Sequence, residues 1–238
     1  MIAVSSSASA VRRPAITIAL CFLVAVVEGF DIQAIGIAAP QLAPQFGLSP
    51  GQMGWIFSIS NIGLVIGASF GGWFADRVGR KPVFIAAVLI FGVFTLLTTV
   101  ASTFALLFAV RFCAGLGFGA ALPNMMAVAS EISSPERRAI TAAAMFAGMP
   151  LGGGSSALLT QLLPPGFDWR VLFIVGGIFP LMLAPALHFF MVETLKRGET
   201  VKSRVNAWHA LFGEGRAPAT LLLWLAFLPT LVILYLIL

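Results

Sequence analysis

The chain has 238 residues, of which 59% are hydrophobic and only 10% are charged, and its formal net charge is +5. About a quarter of the residues in a soluble domain are charged, so these values exclude an ordinary water-soluble fold and indicate a chain whose main solvent is lipid. The basic residues occur in short groups between apolar runs, which is typical of membrane topology and excludes a continuous basic face for nucleic acid.

Six apolar runs are long enough to cross a bilayer, which takes about 20 residues in a helix. In chain order they cover residues 16–39, 52–74, 83–101, 104–128, 140–163 and 170–191. A seventh run begins near residue 219 and is cut off at residue 238. The first run is too long for a signal peptide and lacks a clear cleavage site, so we interpret it as a retained helix. We therefore predict an all-α polytopic membrane protein with a truncated seventh helix.

The distribution of charge predicts which side of the membrane each loop occupies. With a cytoplasmic N-terminus, twelve of the fourteen Lys and Arg residues lie on the cytoplasmic side, as the positive-inside rule requires. This orientation, in the cell inner membrane, gives four segments: a tail (1–15), a six-helix bundle (16–192), a cytoplasmic linker (193–218) and the start of helix seven (219–238).

A charged loop follows the second predicted span, in the sequence GWFADRVGRK. It resembles the signature loop of the major facilitator superfamily, G-x-x-x-D-R-x-G-R-[RK]. The alternative is a simple topogenic charge cluster. The matching residues are Gly72, Asp76, Arg77, Gly79, Arg80 and Lys81.

The fourth predicted span contains a motif that begins at Arg111 and has glycine at positions 115, 117 and 119. Glycines at this spacing suit close helix packing. This motif is similar to the second motif of the superfamily, R-x-x-x-G-x-G-x-G. The resemblance implies that Glu131 and Arg138, beyond the end of this span, join Asp76, Arg77 and Arg80 in a cytoplasmic network that holds one conformation. The alternative is a solvated loop.

The first span carries the sequence EGFDIQAIGIAAP from Glu28 to Pro40. It resembles the D-G-x-D-x-x-x-x-G-x-x-x-P signature of the aromatic acid:proton symporters, with Glu28 in place of the first aspartate. This replacement brings the chain close to the branch that transports 3-(3-hydroxyphenyl)propionate and related compounds. In the fifth span, Met149 stands where the drug antiporters have a glycine, which weighs against that alternative.

Three ionisable residues lie at membrane depth, where an ionisable group is usually functional or paired. Glu28 and Asp31 are three residues apart and share a helix face. Asp31 and Arg111 lie at similar depths, so we expect them to face each other. We predict that Asp31 couples the proton, with Glu28 as a second proton-coupling carboxyl group beside it, and that Arg111 is the ion-pair partner of Asp31 or an anion clamp. The alternative is a permanent structural salt bridge.

Two polar residues, Gln33 and Asn124, are further candidates for the substrate cavity, although each can equally form hydrogen bonds between helices. We find no paired His, nucleophile motif or metal-spaced cluster, so we predict that the protein is not an enzyme and needs no cofactor.

The resemblance implies the N-terminal half of a major facilitator fold, built from two inverted three-helix repeats. It implies alternating access, with a proton and an aromatic carboxylate moving inward together. The expected partners are this substrate, protons, the lipid bilayer and the missing C-terminal half. The alternatives are a transporter for another organic anion, a drug/proton antiporter, or a truncated half that does not transport.

Overall fold

The structure is a computed structural model that describes residues 5–194, 212–213 and 215–237, and these residues form helices without any strand. The predicted cytoplasmic linker lies mostly outside the described residues. The chain divides into two compact units, residues 1–198 and 199–238. The helices are α1 (Ser5–Phe46), α2 (Pro50–Val78), α3 (Arg80–Thr98), α4 (Phe104–Ile132), α5 (Arg138–Leu162), α6 (Arg170–Phe190) and, in the second unit, α7 (Ala217–Ile237).

The helices α1 to α6 are each long and apolar enough to cross a membrane, which confirms the six predicted spans. The apolar part of α1 extends from Pro14 to Phe46, well beyond the predicted end at residue 39. Pro40 and Pro44 lie inside this helix and do not end it. Proline is tolerated in membrane helices because neighbouring groups satisfy the backbone atoms that it leaves free.

The short connections between the helices follow from local capping. Ser49 and Gln52 form a reciprocal capping box at the start of α2, where Pro50 begins the helix. Gly79 separates α2 from α3 with a φ of 116°, a conformation that favours glycine. We call the end of the bundle that contains this residue the Gly79 end, and the opposite end the Trp169 end.

The helices pack in a pattern with internal symmetry. α1 packs on α5, α2 packs on α4, and α3 packs on α6. If α1, α2 and α3 are exchanged with α4, α5 and α6 in that order, the α1–α5 pair becomes the α4–α2 pair. The α3–α6 pair is unchanged by the same exchange. Because each repeat contains three spans, the second repeat starts from the opposite side of the membrane. The bundle is therefore two inverted repeats of three helices, as a half of the major facilitator fold requires.

Small residues allow the paired helices to approach closely. A Cβ atom at Gly67 of α2 would collide with the backbone of Leu116 in α4, and one at Gly152 of α5 would collide with the backbone of Val26 in α1. In both pairs the side chain would meet main-chain atoms, which cannot move aside without separating the helices. Van der Waals packing of this kind drives helix association in lipid.

Two large apolar clusters fill the bundle, one towards each end, and a small third cluster of Val27, Phe91 and Phe118 lies between them. On α1 the first cluster reaches Ala25 and the second begins at Phe30. On α4, which runs the opposite way, the second cluster ends at Leu107 and the first begins at Ala121. Glu28 on α1 and Arg111 on α4 lie between the two large clusters, and Asp31 lies one residue past the start of the second. We call the level of these three ionisable residues the polar layer.

Candidate functional site

An ion pair between α1 and α4 lies at the centre of the polar layer. The Nη2 atom of Arg111 donates a hydrogen bond to Oδ2 of Asp31 over 2.7 Å. The side chains of Asp31 and Arg111 are 0% and 1% exposed, so neither reaches the surface of the bundle. The pair is enclosed within the six helices, and it links the two inverted repeats.

The guanidinium group of Arg111 also contacts two further helices. Its Nε atom donates to the Ser60 hydroxyl of α2 over 3.3 Å, and its central carbon lies 5.5 Å from the ring centroid of Phe173 in α6. Its Nη1 atom and Oδ1 of Asp31 are buried without a hydrogen-bond partner among the described residues. Such a charge pair is stable only while both members are present, because removing one leaves a buried charge uncompensated.

Glu28 lies one helical turn before Asp31, on the same face of α1. Its side chain is buried, with 2% exposure, and its Oε1 atom has no hydrogen-bond partner in the described part of the chain. The structure thus brings Glu28, Asp31 and Arg111 into one buried layer, but only Asp31 is paired with the arginine.

The structure places Gln33 and Asn124 away from this pair. Gln33 is half-buried beside Gly153 of α5, and it is two residues from Asp31, so it points to another side of α1. Asn124 is buried about 20 Å along α4 from Arg111, at 1.5 Å per residue. Its Nδ2 atom donates to the carbonyls of Ala120 (2.7 Å) and of Gly71 in α2 (3.4 Å), so it joins α4 to α2.

The predicted charge network lies at the Gly79 end and is centred on Arg80. The Nε atom of Arg80 lies 2.9 Å from Oε1 of Glu131, although its N–H does not point at that oxygen, so the contact is an ion pair without a hydrogen bond. The Nη2 atom lies 3.9 Å from Oδ1 of Asp76, which is a weak contact. These contacts join the end of α2 and the start of α3 to the end of α4.

The other basic residues of the predicted network make different contacts. The guanidinium of Arg77 stacks 3.4 Å from the ring centroid of Trp73. Within the described ranges, no ion pair joins Arg77, Lys81 or Arg138 to a carboxylate. Arg138 lies near Glu136, where a backbone hydrogen bond, the Ser134 side chain and the charge of Arg138 lower the pKa of that carboxyl group. A Cβ atom at Gly72 would meet nothing within 4 Å, so space does not require glycine there.

Glu193, just after α6, is a residue of this network that the sequence analysis does not identify. Its Oε1 and Oε2 atoms accept hydrogen bonds from the backbone N–H groups of Arg80 (3.1 Å) and Lys81 (3.2 Å). A Cβ atom at Gly79 would lie 2.7 Å from Oε2, the end of a flexible side chain that can shift, so the φ of 116° is the reason that glycine is favoured there. The carboxylate therefore caps the positive end of α3.

Replacing Glu193 with alanine is expected to free the first amides of α3. Loss of an N-terminal cap costs about 0.5–2 kcal/mol, which corresponds to roughly 2- to 30-fold faster exchange of these amides. Hydrogen exchange of the peptide that contains Arg80 and Lys81, measured by mass spectrometry, tests this. Glu193→Gln keeps one acceptor oxygen and should give an intermediate rate. Equal exchange in all three proteins would contradict the cap.

Comparisons with known proteins agree with this arrangement. The sequence profile of the Major Facilitator Superfamily matches residues 21–238. The chain is 44% identical to the 3-(3-hydroxy-phenyl)propionate transporter of Escherichia coli (strain K12), over 98% of this chain and 57% of that protein. It is 34% identical to the 4-hydroxybenzoate transporter PcaK of Pseudomonas aeruginosa, over 92% of this chain and 56% of that protein. The chain thus spans a little over half the length of these relatives.

Solved structures show the same fold. The inward-open xylose transporter XylE from E. coli superposes with a TM-score of 0.66 at 19% identity, over 85% of this chain and 54% of that one. A bacterial homologue of the lysosomal transporter Spinster gives a TM-score of 0.65 at 20% identity, over 85% of this chain and 48% of that one. At such low identity these matches concern the fold alone. Because the profile covers nearly the whole chain, and the inverted repeat and the signature loop are both present, the chain belongs to the major facilitator superfamily.

Proposed function

We propose that this chain is the N-terminal half of a transporter that carries aromatic carboxylic acids, such as 3-(3-hydroxyphenyl)propionate, into the cell together with protons. The observation that carries the proposal is the 44% identity, over 98% of this chain, to a transporter of that acid. The similarity to PcaK, a 4-hydroxybenzoate transporter, supports the same class of substrate. Transport then proceeds by alternating access between this half and a C-terminal half that completes the cavity.

The proposed orientation places the N-terminus and the Gly79 end in the cytoplasm and the Trp169 end outside, in the cell inner membrane. The distribution of the basic residues supports it, since the loops at the Gly79 end carry most of them. In this orientation the contacts of Arg80 with Asp76, Glu131 and Glu193 close the cytoplasmic side of the half. Their release accompanies opening towards the cytoplasm.

In the proposed cycle the polar layer provides the proton coupling. Glu28 and Asp31 are the carboxyl groups at membrane depth, and Arg111 compensates the charge of Asp31. Because Arg111 is enclosed by the helices, the ion-pair role is better supported than a direct clamp on the substrate. Gln33, on a half-buried face of α1, is a proposed contact of the cavity, whereas Asn124 is proposed to keep α2 and α4 together.

Cells that express the complete native reading frame are expected to accumulate 3-(3-hydroxyphenyl)propionate, and a protonophore should abolish the accumulation. A one-proton symport supports about tenfold accumulation per unit of pH difference, since 1.4 kcal/mol is a factor of ten. Radiolabelled uptake with and without the protonophore measures this. Vector-only cells are the control.

The same assay distinguishes the other possibilities. Uptake of hydroxybenzoates but not of the phenylpropionate would retain proton-coupled aromatic-acid transport and change the substrate. Protonophore-insensitive uptake would contradict the coupling. The absence of any aromatic-acid uptake by correctly inserted protein would contradict the proposed function.

A further inference from the structure

We infer that Glu28, and not Asp31, binds and releases the transported proton, while Asp31 remains ionised as the fixed counter-charge of Arg111. This inference rests on the proposed function, because it assigns the proton of that transport cycle to one of two neighbouring carboxyl groups. It reverses the simplest interpretation, in which the aspartate that pairs with the arginine is also the group that titrates.

Asp31 is poorly suited to accept a proton because of its partner. Its Oδ2 atom lies 2.7 Å from Nη2 of Arg111, and both side chains are almost completely buried. Protonating Asp31 would remove the only negative charge that contacts the guanidinium among the described residues. The other contacts of Arg111, the Ser60 hydroxyl and the Phe173 ring, carry no formal charge and cannot replace it. A buried cation left in this way is strongly unfavourable.

Glu28 has the opposite environment. Its side chain is 2% exposed, its Oε1 atom has no hydrogen-bond partner among the described residues, and no ion pair reaches it there. A buried carboxylate without a partner is far more costly than the neutral acid. The enclosed conformation therefore favours the protonated form of Glu28, and a conformation that admits water to this layer favours release.

The remaining titratable groups around Glu28 do not change this assignment. At the depth of Glu28, α1 carries Asp31 and α4 carries Arg111, and Cys21 and Cys113 are the thiols of these two helices. The other helices of the bundle carry their ionisable residues near their ends: Asp76 and Arg77 on α2, Arg80 and Lys81 on α3, Arg138 on α5, and Arg170 and His188 on α6. Arg170 lies one turn before Phe173, and its guanidinium contacts Asp168 at 3.0 Å and the Thr99 carbonyl at 2.8 Å.

The charge balance of the layer provides the coupling. Asp31 and Arg111 cancel, so the layer is neutral when Glu28 is protonated and carries one negative charge when it is not. A carboxylate substrate that approaches this layer is repelled by the ionised form and accepted by the neutral form. In the cycle, an O–H bond forms when the Glu28 carboxylate takes a proton from water on the outer side, and it breaks when water on the inner side accepts that proton.

Carbodiimide labelling tests the assignment on the unmodified protein. Dicyclohexylcarbodiimide reacts with protonated carboxyl groups in apolar surroundings, and peptide mass spectrometry separates Glu28 from Asp31. We expect an adduct on Glu28 that disappears as the pH rises, and none on Asp31. An adduct on Asp31, or its absence from Glu28, would overturn the inference. This measurement does not depend on which acid is transported, so it is separate from the test of the proposed function.

A transport assay in proteoliposomes provides the functional test. With one unit of inward pH gradient, the unmodified protein is expected to accumulate substrate about tenfold. The Glu28→Gln protein is expected to lose this accumulation, while exchange of labelled for unlabelled substrate remains measurable. Glu28→Asp, which keeps a carboxyl group, should retain accumulation. If the unmodified protein shows neither uptake nor exchange, the proposed function fails. If it transports and Glu28→Gln still accumulates substrate against its gradient, the assignment of the proton to Glu28 fails.

Discussion

Replacing Arg111 with methionine is expected to destabilise the fold, so that the membrane contains much less folded protein. Methionine keeps much of the length of the side chain but leaves Asp31 as a buried carboxylate without its cation. Breaking a buried ion pair from one side costs about 3–5 kcal/mol. The total stability of a typical protein is about 5–15 kcal/mol, so this single change removes a large part of it.

Removing both charges together is expected to restore the fold. The double variant Asp31→Asn, Arg111→Met has no uncompensated charge, and replacing a buried pair by neutral groups of similar volume is often close to neutral in stability. The measurement is the amount and thermal stability of the detergent-solubilised protein for both single variants and the double variant. A double variant as unstable as the sum of the two single variants would show that the pair does not stabilise the bundle.

The six spans and the ion pair between Asp31 and Arg111 can be predicted from the sequence. Lipid requires long apolar helices, so hydropathy alone identified α1 to α6. Only three ionisable residues lie at membrane depth, and the positions of Asp31 and Arg111 along their spans already matched. The depth along a helix follows directly from the residue number, which made this contact predictable.

Other features depend on information that a single sequence does not display. Glu193 contacts the start of α3 across more than 100 residues, and its carboxylate has no local signal beyond following a span. The helix α1 continues through Pro40 and Pro44, where local rules predict an end. The different environments of Glu28 and Asp31 also depend on which helix each side chain faces, and neighbouring carboxyl groups look equivalent in the sequence.

For Glu28 and Asp31 the missing quantity is the rotation of each helix about its axis. The same uncertainty affects the 24 glycines of the chain, because the sequence does not indicate which of them touch a neighbouring helix. In the run Gly152-Gly153-Gly154 of α5, the structure assigns a different environment to each residue. Gly152 contacts the backbone of α1, Gly153 lies beside Gln33, and a Cβ atom at Gly154 would meet no atom of another helix within 4 Å.

Replacing Gly152 with valine is therefore expected to disrupt the bundle severely. Its side chain would enter the space occupied by the Val26 carbonyl, and its Cβ would lie 2.7 Å from the Phe30 nitrogen. Overpacking usually costs about 1–3 kcal/mol, and more where the obstacle is rigid. Here the obstacle is helical backbone, so α1 and α5 must move apart. That movement disturbs the segment of α1 that carries Glu28, and both folding and transport should be lost.

Gly154→Val is the matched control, since it adds the same side chain two residues further along the same helix. A Cβ atom at Gly154 would meet no atom of another helix within 4 Å, so this variant should insert and melt like the unmodified protein. Membrane abundance and thermal melting of the two variants measure the difference directly. An equal loss of abundance and thermal stability at both positions would mean that valine destabilises α5 as a helix, whatever it contacts. Damage confined to Gly152 would identify the contact between α1 and α5 as the cause, because only that contact distinguishes the two sites.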